Sequence, residues 1–302
     1  MTRDSPWGPL AVADAHVHFF SHHFFATLAA QKAGLTVEAA AARLGIAAPP
    51  EEPEKLAAYW AHELDRHSVD HAALIASVPG DEMSVIAAAR AFPGRFFTYA
   101  MVNPRAWNTE NFGHVDAACL FPAMHRYSLH AEEARPVFGW AEVNRRVVFV
   151  HCGVLKVGIR AKLGLESAFD MRFSNPIDLH AIALRHPSVS FVVPHFGAGY
   201  FREALMLADM CANVYLDTSS SNHWMHYQDS HLDLRQVFRR ALDVVGASRL
   251  LFGTDSSISG WNARIFEEQS KALYEIGLSA QDARAIFGEN LLRIIARETH
   301  QS

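Results

Sequence analysis

The stretch Val147-Val148-Phe149-Val150-His151 is apolar at four consecutive positions and ends in a histidine. Such uninterrupted apolar runs are typical of strands that are buried on both faces, as in parallel sheets covered by helices. Short runs of this kind recur along the chain and alternate with amphipathic segments. The predicted strands are residues 10–18, 71–78, 96–102, 115–121, 147–151, 189–195, 214–218 and 250–255.

The alternation of strand and helix patterns predicts βαβ units and a parallel sheet. Eight units fit a closed TIM-like (β/α)8 barrel, with an open doubly wound sheet as the alternative. No GxGxxG pattern follows the first strand, which disfavours a dinucleotide site. We expect a single domain over residues 1–302 with a helical insertion at about 23–67. The connection from Val102 to Val115 is near the lower length limit for a parallel crossover.

Composition narrows the class of protein. The chain has 302 residues, is 50% hydrophobic and carries a net charge of −5. It can bury a large core, and it lacks the basic footprint of nucleic-acid or anionic-membrane binding. We find no signal peptide, no apolar run near the roughly 18 residues of a membrane span, and no CxxC pair. We therefore expect a cytoplasmic protein that acts on a small molecule, with a homodimer as the candidate oligomer.

The first predicted strand contains Asp14-Ala15-His16-Val17-His18. Side chains alternate along a strand, so Asp14, His16 and His18 are predicted to point the same way. The two histidine Cα atoms would lie about 6.6 Å apart, close enough for both imidazoles to bind one ion. Because the chain has 18 histidines, this pair alone is a weak signal.

Three other predicted strands end in His151, His195 and Asp255. In a parallel barrel all strand C-termini meet on one face, where active sites form. Nitrogen and carboxylate donors suit Zn²⁺, Mn²⁺, Fe²⁺ or Co²⁺, and three histidines with one aspartate and a water form an open, catalytic arrangement. We expect one divalent ion, with Zn²⁺ as the first choice. The alternative for His151 is a buried histidine satisfied by the backbone.

The motifs resemble the amidohydrolase superfamily, in particular the amidohydrolase-2 branch that includes aminocarboxymuconate semialdehyde decarboxylase. The matching segments are DAHVHFF at 14–20, VFVHCG at 148–153, VPHFG at 193–197, LFGTDSS at 251–257 and IFGENLLRI at 286–294. The resemblance implies a mononuclear site bound by His16, His18, His151 and Asp255. It makes His195 a catalytic residue outside the ligand set, although relatives with two metals use that position as a ligand.

Strand 4 departs from the pattern of the two-metal members of that superfamily, which carry a carboxylated lysine or a glutamate at its end. The corresponding residues 117–122 contain neither. One metal is therefore favoured. Cys119, in the same segment, is interpreted as a buried structural thiol in preference to a ligand.

The segment between His151 and Asn175 is long for a loop in a compact barrel, and such loops are often functional. It carries an excess of cations over anions. We predict that Arg172 or Arg160, together with Asn175, binds a carboxylate of the substrate, because the planar guanidinium matches a carboxylate. The alternative is that these arginines pair with Asp170 or Glu166.

The predicted activity is metal-assisted hydrolysis of an amide, ester or lactone. Asp255 would move the proton of the attacking water, and His195 would hydrogen-bond the water or the developing oxyanion. Non-oxidative decarboxylation of a small unsaturated or aromatic acid is the rival prediction and uses the same residues. A metal-binding barrel without catalysis and a TatD-like nuclease are the weaker alternatives.

Overall fold

The computed structural model describes residues 1–110, 112–219 and 221–296, except for the side chains of 221–223. Eight strands form one parallel sheet in the order of the chain. They are β1 (Ala13–Phe19), β2 (His71–Ala76), β3 (Phe96–Val102), β4 (Ala117–Leu120), β5 (Val147–Val150), β6 (Phe191–Val193), β7 (Val214–Asp217) and β8 (Leu250–Leu251). All eight predicted strands are therefore present, most of them shorter than predicted.

Helices surround the sheet. They are α1 (His22–Ala29), α2 (Val37–Leu44), α3 (Pro53–Arg66), α4 (Glu82–Ala91), α5 (Pro122–His125), α6 (Arg135–Asn144), α7 (Gly158–Leu163), α8 (His180–Arg185), α9 (Phe201–Met210), α10 (Leu234–Val245), α11 (Ala263–Glu275), α12 (Ala280–Arg284) and α13 (Asn290–Ile295). None of the helices in the described part of the chain has the length and apolar character needed to cross a bilayer.

The backbone of β1 joins the residues that follow β8 and so brings the two ends of the sheet together. The amide of Ala15 donates to the carbonyl of Phe252 and the amide of His18 donates to that of Ser256, both at 2.8 Å. These bonds make the sheet a barrel, as predicted. They also place the segment before Asp255 directly beside the two histidines of β1.

The side chains pack in three apolar clusters. One fills the barrel interior and includes Tyr99, Cys119 and Phe149. A larger one lies between the sheet and the outer helices. The third joins α1 and α2 to α7, and Phe24 and Leu163 are among its members. The predicted helical segment after β1 thus lies over the C-terminal end of the barrel.

The connection from β3 to β4 contains no α-helix among its described residues. Two 3-10 turns, Pro104–Ala106 and Phe112–His114, occupy it instead. The short spacing noted in the sequence therefore reflects a crossover built from turns. Trp107 and Phe112 pack edge to face there, with ring centroids 5.4 Å apart, and cover this side of the sheet.

Candidate active site

Three predicted ligands meet at the C-terminal end of the barrel. Oδ1 of Asp255 lies 3.0 Å from Nε2 of His18 and 3.4 Å from Nε2 of His16. One donor atom from each of the three side chains lies within 4.8 Å of the other two. This spacing lets all three side chains bind a single ion.

A bulge in β1 aims the two histidines. Between Asp14 and Val17 the strand advances by three residues while β2 advances by two, from Ala72 to Leu74. The extra residue reverses the alternation. Asp14 consequently does not point toward His16 and His18, and the prediction that all three share a face was wrong.

Asp14 instead ties β1 to the segment after β8. Its carboxylate accepts hydrogen bonds from the amide of Thr254 at 3.1 Å and from Nε1 of Trp261 at 2.8 Å. Burial raises the pKa of this carboxyl to about 6, although these hydrogen bonds oppose the rise. Asp14 holds the strand that carries the histidines and is not a ligand.

His16 is held from behind by Asp217, a residue at the end of β7 that the sequence analysis did not single out. Nδ1 of His16 donates to Oδ2 of Asp217 across 2.6 Å. The bond fixes the tautomer and leaves Nε2 facing Asp255. Gly253 is required beside this pair, because a Cβ atom there would overlap Oδ1 of Asp217.

His18 is oriented in the same manner by a neutral partner. Its Nδ1 lies 2.7 Å from Oγ of Ser77, a residue that follows β2. The Phe20 ring stacks on the face of the imidazole, with the ring centroids 5.2 Å apart. The Nε2 atoms of both histidines therefore point to the same place.

His151 lies close to this group but outside the set of three. Its ring stacks on Phe121 at 5.2 Å and lies 5.4 Å from the His195 ring. Its Nδ1 is buried and has no hydrogen-bond partner among the residues that the structure describes. Burial, together with neighbouring histidines, lowers its pKa well below the usual value. A neutral imidazole with an unsatisfied nitrogen suits a metal ligand, and its ligand role remains a prediction.

His195 is presented by a left-handed turn after β6. All residues from 195 to 199 have positive φ, including His195 at 56° and Phe196 at 51°. Such a conformation is costly for residues other than glycine and is often found at functional sites. The turn docks on the loop after β5, where Val154 donates its amide to the carbonyl of Ala198 at 2.8 Å.

Glycine at position 153 makes this docking possible. Gly153 has φ +78°, and a Cβ atom there would overlap the carbonyl oxygens of Gly197 and Ala198. Two of the motifs quoted from the sequence, VFVHCG and VPHFG, are therefore in contact through their glycines. This contact sets the separation of His151 and His195.

The tautomer of His195 follows from its neighbours. Its Nδ1 lies 2.8 Å from Oγ of Ser219 and 3.2 Å from the carbonyl oxygen of the same residue. A carbonyl only accepts, so the proton is on Nδ1 and the lone pair is on Nε2. Burial lowers the pKa of His195, against the opposing charge of Asp255.

The charged groups around Asp255 and His16 favour a bound cation. Burial raises the pKa of the Asp255 carboxyl, but His16 and His18 outweigh this effect and hold it well below its usual value. Burial lowers the pKa of His16, yet Asp217 and Asp255 raise it to about 9. The buried carboxylate of Asp217 and the partly buried carboxylate of Asp255 lie beside three imidazoles. Together they need positive charge, which a proton or a metal ion can supply. The donor set therefore fits a divalent ion.

The site opens into a cavity of about 340 Å³. All the predicted ligands and His195 line its floor, and Met101, Phe121 and Leu155 form apolar walls. Lys156, from the loop after β5, and Lys162, from α7, also line it. Volume and lining suit a small organic molecule with one polar end.

The predicted substrate-binding residues lie elsewhere. The Arg172 side chain is 80% exposed and pairs with Asp170 at 2.6 Å. Arg160 donates from Nε to the carbonyl of Glu166 at 3.0 Å and borders a neighbouring cavity. The Asn175 side chain accepts from the amide of Ile177 at 3.0 Å and caps a 3-10 turn.

These three residues do not line the cavity beside His16, His18 and Asp255, because each forms a hydrogen bond or ion pair within its own loop. The local pairing of Arg172 with Asp170 was the alternative interpretation of the sequence, and the structure has that arrangement. Cys119 is buried in the barrel interior, and burial raises the pKa of its thiol well above the usual value. It is a structural thiol, as expected.

The fold and the site together define a (β/α)8 barrel with a candidate metal centre at the C-terminal ends of its strands. Residues 13–295 match the family model described as Amidohydrolase. The chain therefore belongs to the amidohydrolase family, which confirms the resemblance seen in the motifs.

A curated relative matches one part of the chain. Over 82 residues, 27% of this chain, the sequence is 37% identical to the protein fluG of Emericella nidulans. The matched segment spans 9% of that protein's length. The activity of the whole relative therefore says little about this chain.

Solved structures resemble the fold across nearly its whole length. The 5-carboxyvanillate decarboxylase LigW of Sphingomonas paucimobilis has a TM-score of 0.61 at 12% identity, covering 95% of this chain and 99% of its own. A probable 2-pyrone-4,6-dicarboxylic acid hydrolase of Acinetobacter baumannii, solved with citric acid bound, has a TM-score of 0.61 at 13% identity, with the same coverage. At these identities the likeness establishes the fold.

Proposed function

We propose that this protein is a metal-dependent hydrolase of a small amide, ester or lactone that bears a carboxylate. The observation that carries the proposal is the open donor set formed by His16, His18 and Asp255 at the floor of the cavity. Structural zinc sites are closed by four protein side chains, whereas catalytic sites keep a position for water or substrate. One side of this donor set faces the cavity.

The same three side chains would hold the ion, with His151 as a fourth donor. Zinc is the metal we propose, with manganese, iron and cobalt as alternatives, because nitrogen and carboxylate oxygen donors suit all four. When bound, such an ion lowers the pKa of a water molecule to about 7 and polarises a carbonyl group.

The chain's own residues supply the proton transfers. Asp255 accepts a proton from the attacking water and passes it to the leaving group. The neutral His195, protonated on Nδ1, accepts a hydrogen bond from that water through Nε2 and so directs its attack. At the rim of the cavity, Lys156 and Lys162 attract the carboxylate of the substrate.

Decarboxylation is the second candidate. The structural likeness to 5-carboxyvanillate decarboxylase is as strong as the likeness to the pyrone dicarboxylic acid hydrolase, with the same TM-score of 0.61. In this alternative Asp255 would deliver a proton to carbon after loss of CO₂. The names of both similar enzymes describe substrates that carry carboxylate groups. Both candidate reactions therefore imply an acidic substrate.

A substrate panel in ¹⁸O-labelled water separates the two reactions. The panel holds lactones, esters and amides beside hydroxybenzoates and other unsaturated acids, each tested on the metal-loaded enzyme. Hydrolysis puts one ¹⁸O atom into the acid product. Release of CO₂ without ¹⁸O in the organic product would replace the hydrolase proposal with the decarboxylase.

A further inference from the structure

We infer that the substrate carries an uncharged, ring-sized apolar group and that this group occupies a second chamber beside the metal cavity. The chamber has a volume of about 310 Å³. The inference rests on the proposed function, because it concerns the part of the same substrate that lies away from the reacting carbonyl.

The two cavities share a wall. His18, Phe20, Ser257 and Ile258 line both of them. The Phe20 ring lies nearly parallel to the His18 ring, at an interplanar angle of 18°. A molecule held at Nε2 of His18 therefore lies next to the second chamber, and the inference places its remote end past Phe20 in that chamber.

The inserted helices provide the rest of the chamber. The loop at residues 46–50 borders one side, and α3 contributes Leu56, Tyr59 and Trp60. Trp60 is buried at 2% exposure. Pro49 and Pro50 restrict the loop, so little conformational entropy is lost when a ligand binds against it. The insertion thus adds a preformed apolar surface to the site.

The side chains that line the second chamber disfavour a charged substrate group. Among the described residues, no carboxylate lines the chamber. Lys55 is the only ammonium group among these lining residues, and Nζ of Lys55 lies 2.9 Å from Glu52 at the exposed rim. An ionised substrate group would lose hydration without gaining a buried partner, which is unfavourable. An apolar group loses nothing by entering.

The volume of the second chamber indicates the size of the substrate group that it holds. An apolar protein cavity of about 150 Å³ is enough to hold benzene. The chamber has about twice that volume, which suits one aromatic or alicyclic ring with a short linker. The substrate is therefore an aryl- or cycloalkyl-bearing acid derivative with its carbonyl at the histidines.

Hydroxamic acids, which chelate metal ions, provide the test. Acetohydroxamic acid is compared by calorimetry with benzo-, phenylaceto-, 3-phenylpropano- and 4-phenylbutanohydroxamic acids on the metal-loaded protein. Burying a phenyl ring should make the best aryl member about 10- to 100-fold tighter than acetohydroxamate. Ala48→Trp fills the chamber and should abolish this gain without changing the affinity for acetohydroxamate.

Ala42→Trp is the matched control, because Ala42 is an exposed alanine of α2 that does not line the chamber. It should keep the full gain. An aryl series that binds no tighter than acetohydroxamate, or a gain that survives in Ala48→Trp, would overturn the inference.

A second measurement separates failure of the chamber from failure of the metal site. Binding of benzyl alcohol is followed by saturation-transfer NMR on metal-free protein. If acetohydroxamate does not bind the loaded protein, the proposed metal function fails, and the benzyl alcohol signal alone decides the inference. A signal lost in Ala48→Trp and kept in Ala42→Trp supports the chamber, whereas no signal, or one equal in both variants, overturns it.

Discussion

Nδ1 of His16 donates a 2.6 Å hydrogen bond to Oδ2 of Asp217, and both side chains are almost fully excluded from solvent. The carboxylate comes from β7 and the imidazole from β1. The bond therefore spans two strands and fixes the imidazole before any ion arrives. Such outer carboxylates orient metal-binding histidines and make them more basic.

Replacing Asp217 should weaken metal binding although Asp217 touches no metal. Asp217→Asn removes the charge and lets an amide donor compete for the orientation of His16, so zinc affinity should fall about 10- to 100-fold. Competition with a chromophoric chelator measures the dissociation constant. Asp243→Asn, on the exposed side of α10, is the control and should leave it unchanged. Equal affinity in Asp217→Asn and wild type would show that the pair is not needed.

His195→Asn should abolish turnover and preserve the metal. The asparagine removes the Nε2 acceptor that directs the attacking water, and loss of the attack geometry costs about 100-fold or more in rate. Metal content by mass spectrometry and kcat with a substrate from the panel are measured on the same sample. His130→Asn, at an exposed position, controls for a general effect of losing a histidine. Loss of the metal from His195→Asn would make His195 a ligand.

Gly153→Ala should destabilise the protein by at least about 2 kcal/mol, because the new Cβ meets two carbonyl oxygens at a positive φ. Denaturant unfolding gives the change. Gly139→Ala is the matched control: Gly139 lies inside α6 with open space around its Cβ position. That change should stabilise the helix by about 0.5–1 kcal/mol. Similar free energies of unfolding for the two variants would contradict the docking of the turns after β5 and β6.

Much of the fold was predictable because buried parallel strands leave a strong signal. The apolar run Val147–Val150 was predicted to be part of a strand, and it forms β5 in the barrel. His16, His18 and Asp255 were predictable as neighbours for a related reason: strand ends of a barrel share one face. Asp217 lies one residue before the end of the strand predicted at 214–218 and ends β7 in the structure. Extending the same rule to the last two residues of that strand would have found it.

Other features depend on contacts that a single sequence does not display. The bulge at Asp14 is a matter of register between β1 and β2, and alternation along one strand cannot reveal it. Arg172 and Asp170 are two residues apart and pair with each other, and the sequence does not show that this local pair forms in preference to a pair with a distant residue. Only the packing of α7 against the inserted helices decides that Lys162 lines the cavity and Arg172 does not.

The lysines at the cavity rim should set a preference for anionic substrates. The double change Lys156→Gln and Lys162→Gln should lower kcat/KM for a carboxylate-bearing ester about 2- to 10-fold, because each exposed ion pair contributes little. The value of kcat/KM should stay unchanged for the analogue in which that carboxylate is a neutral amide. Raising the salt concentration should reduce the wild-type preference in the same direction. Arg172→Gln, outside the cavity, is the control. If only Arg172→Gln lost the preference for the anionic substrate, Arg172 would be the residue that binds the anion.

Everything proposed for this site depends on a single metal ion held by His16, His18 and Asp255. Plasma mass spectrometry of protein purified without chelator measures that ion. We expect close to one equivalent of a divalent transition metal per chain in the wild type, zinc first among them, and strong loss in His18→Ala. Two equivalents per chain, or none that added zinc, manganese, iron or cobalt can restore, would contradict it.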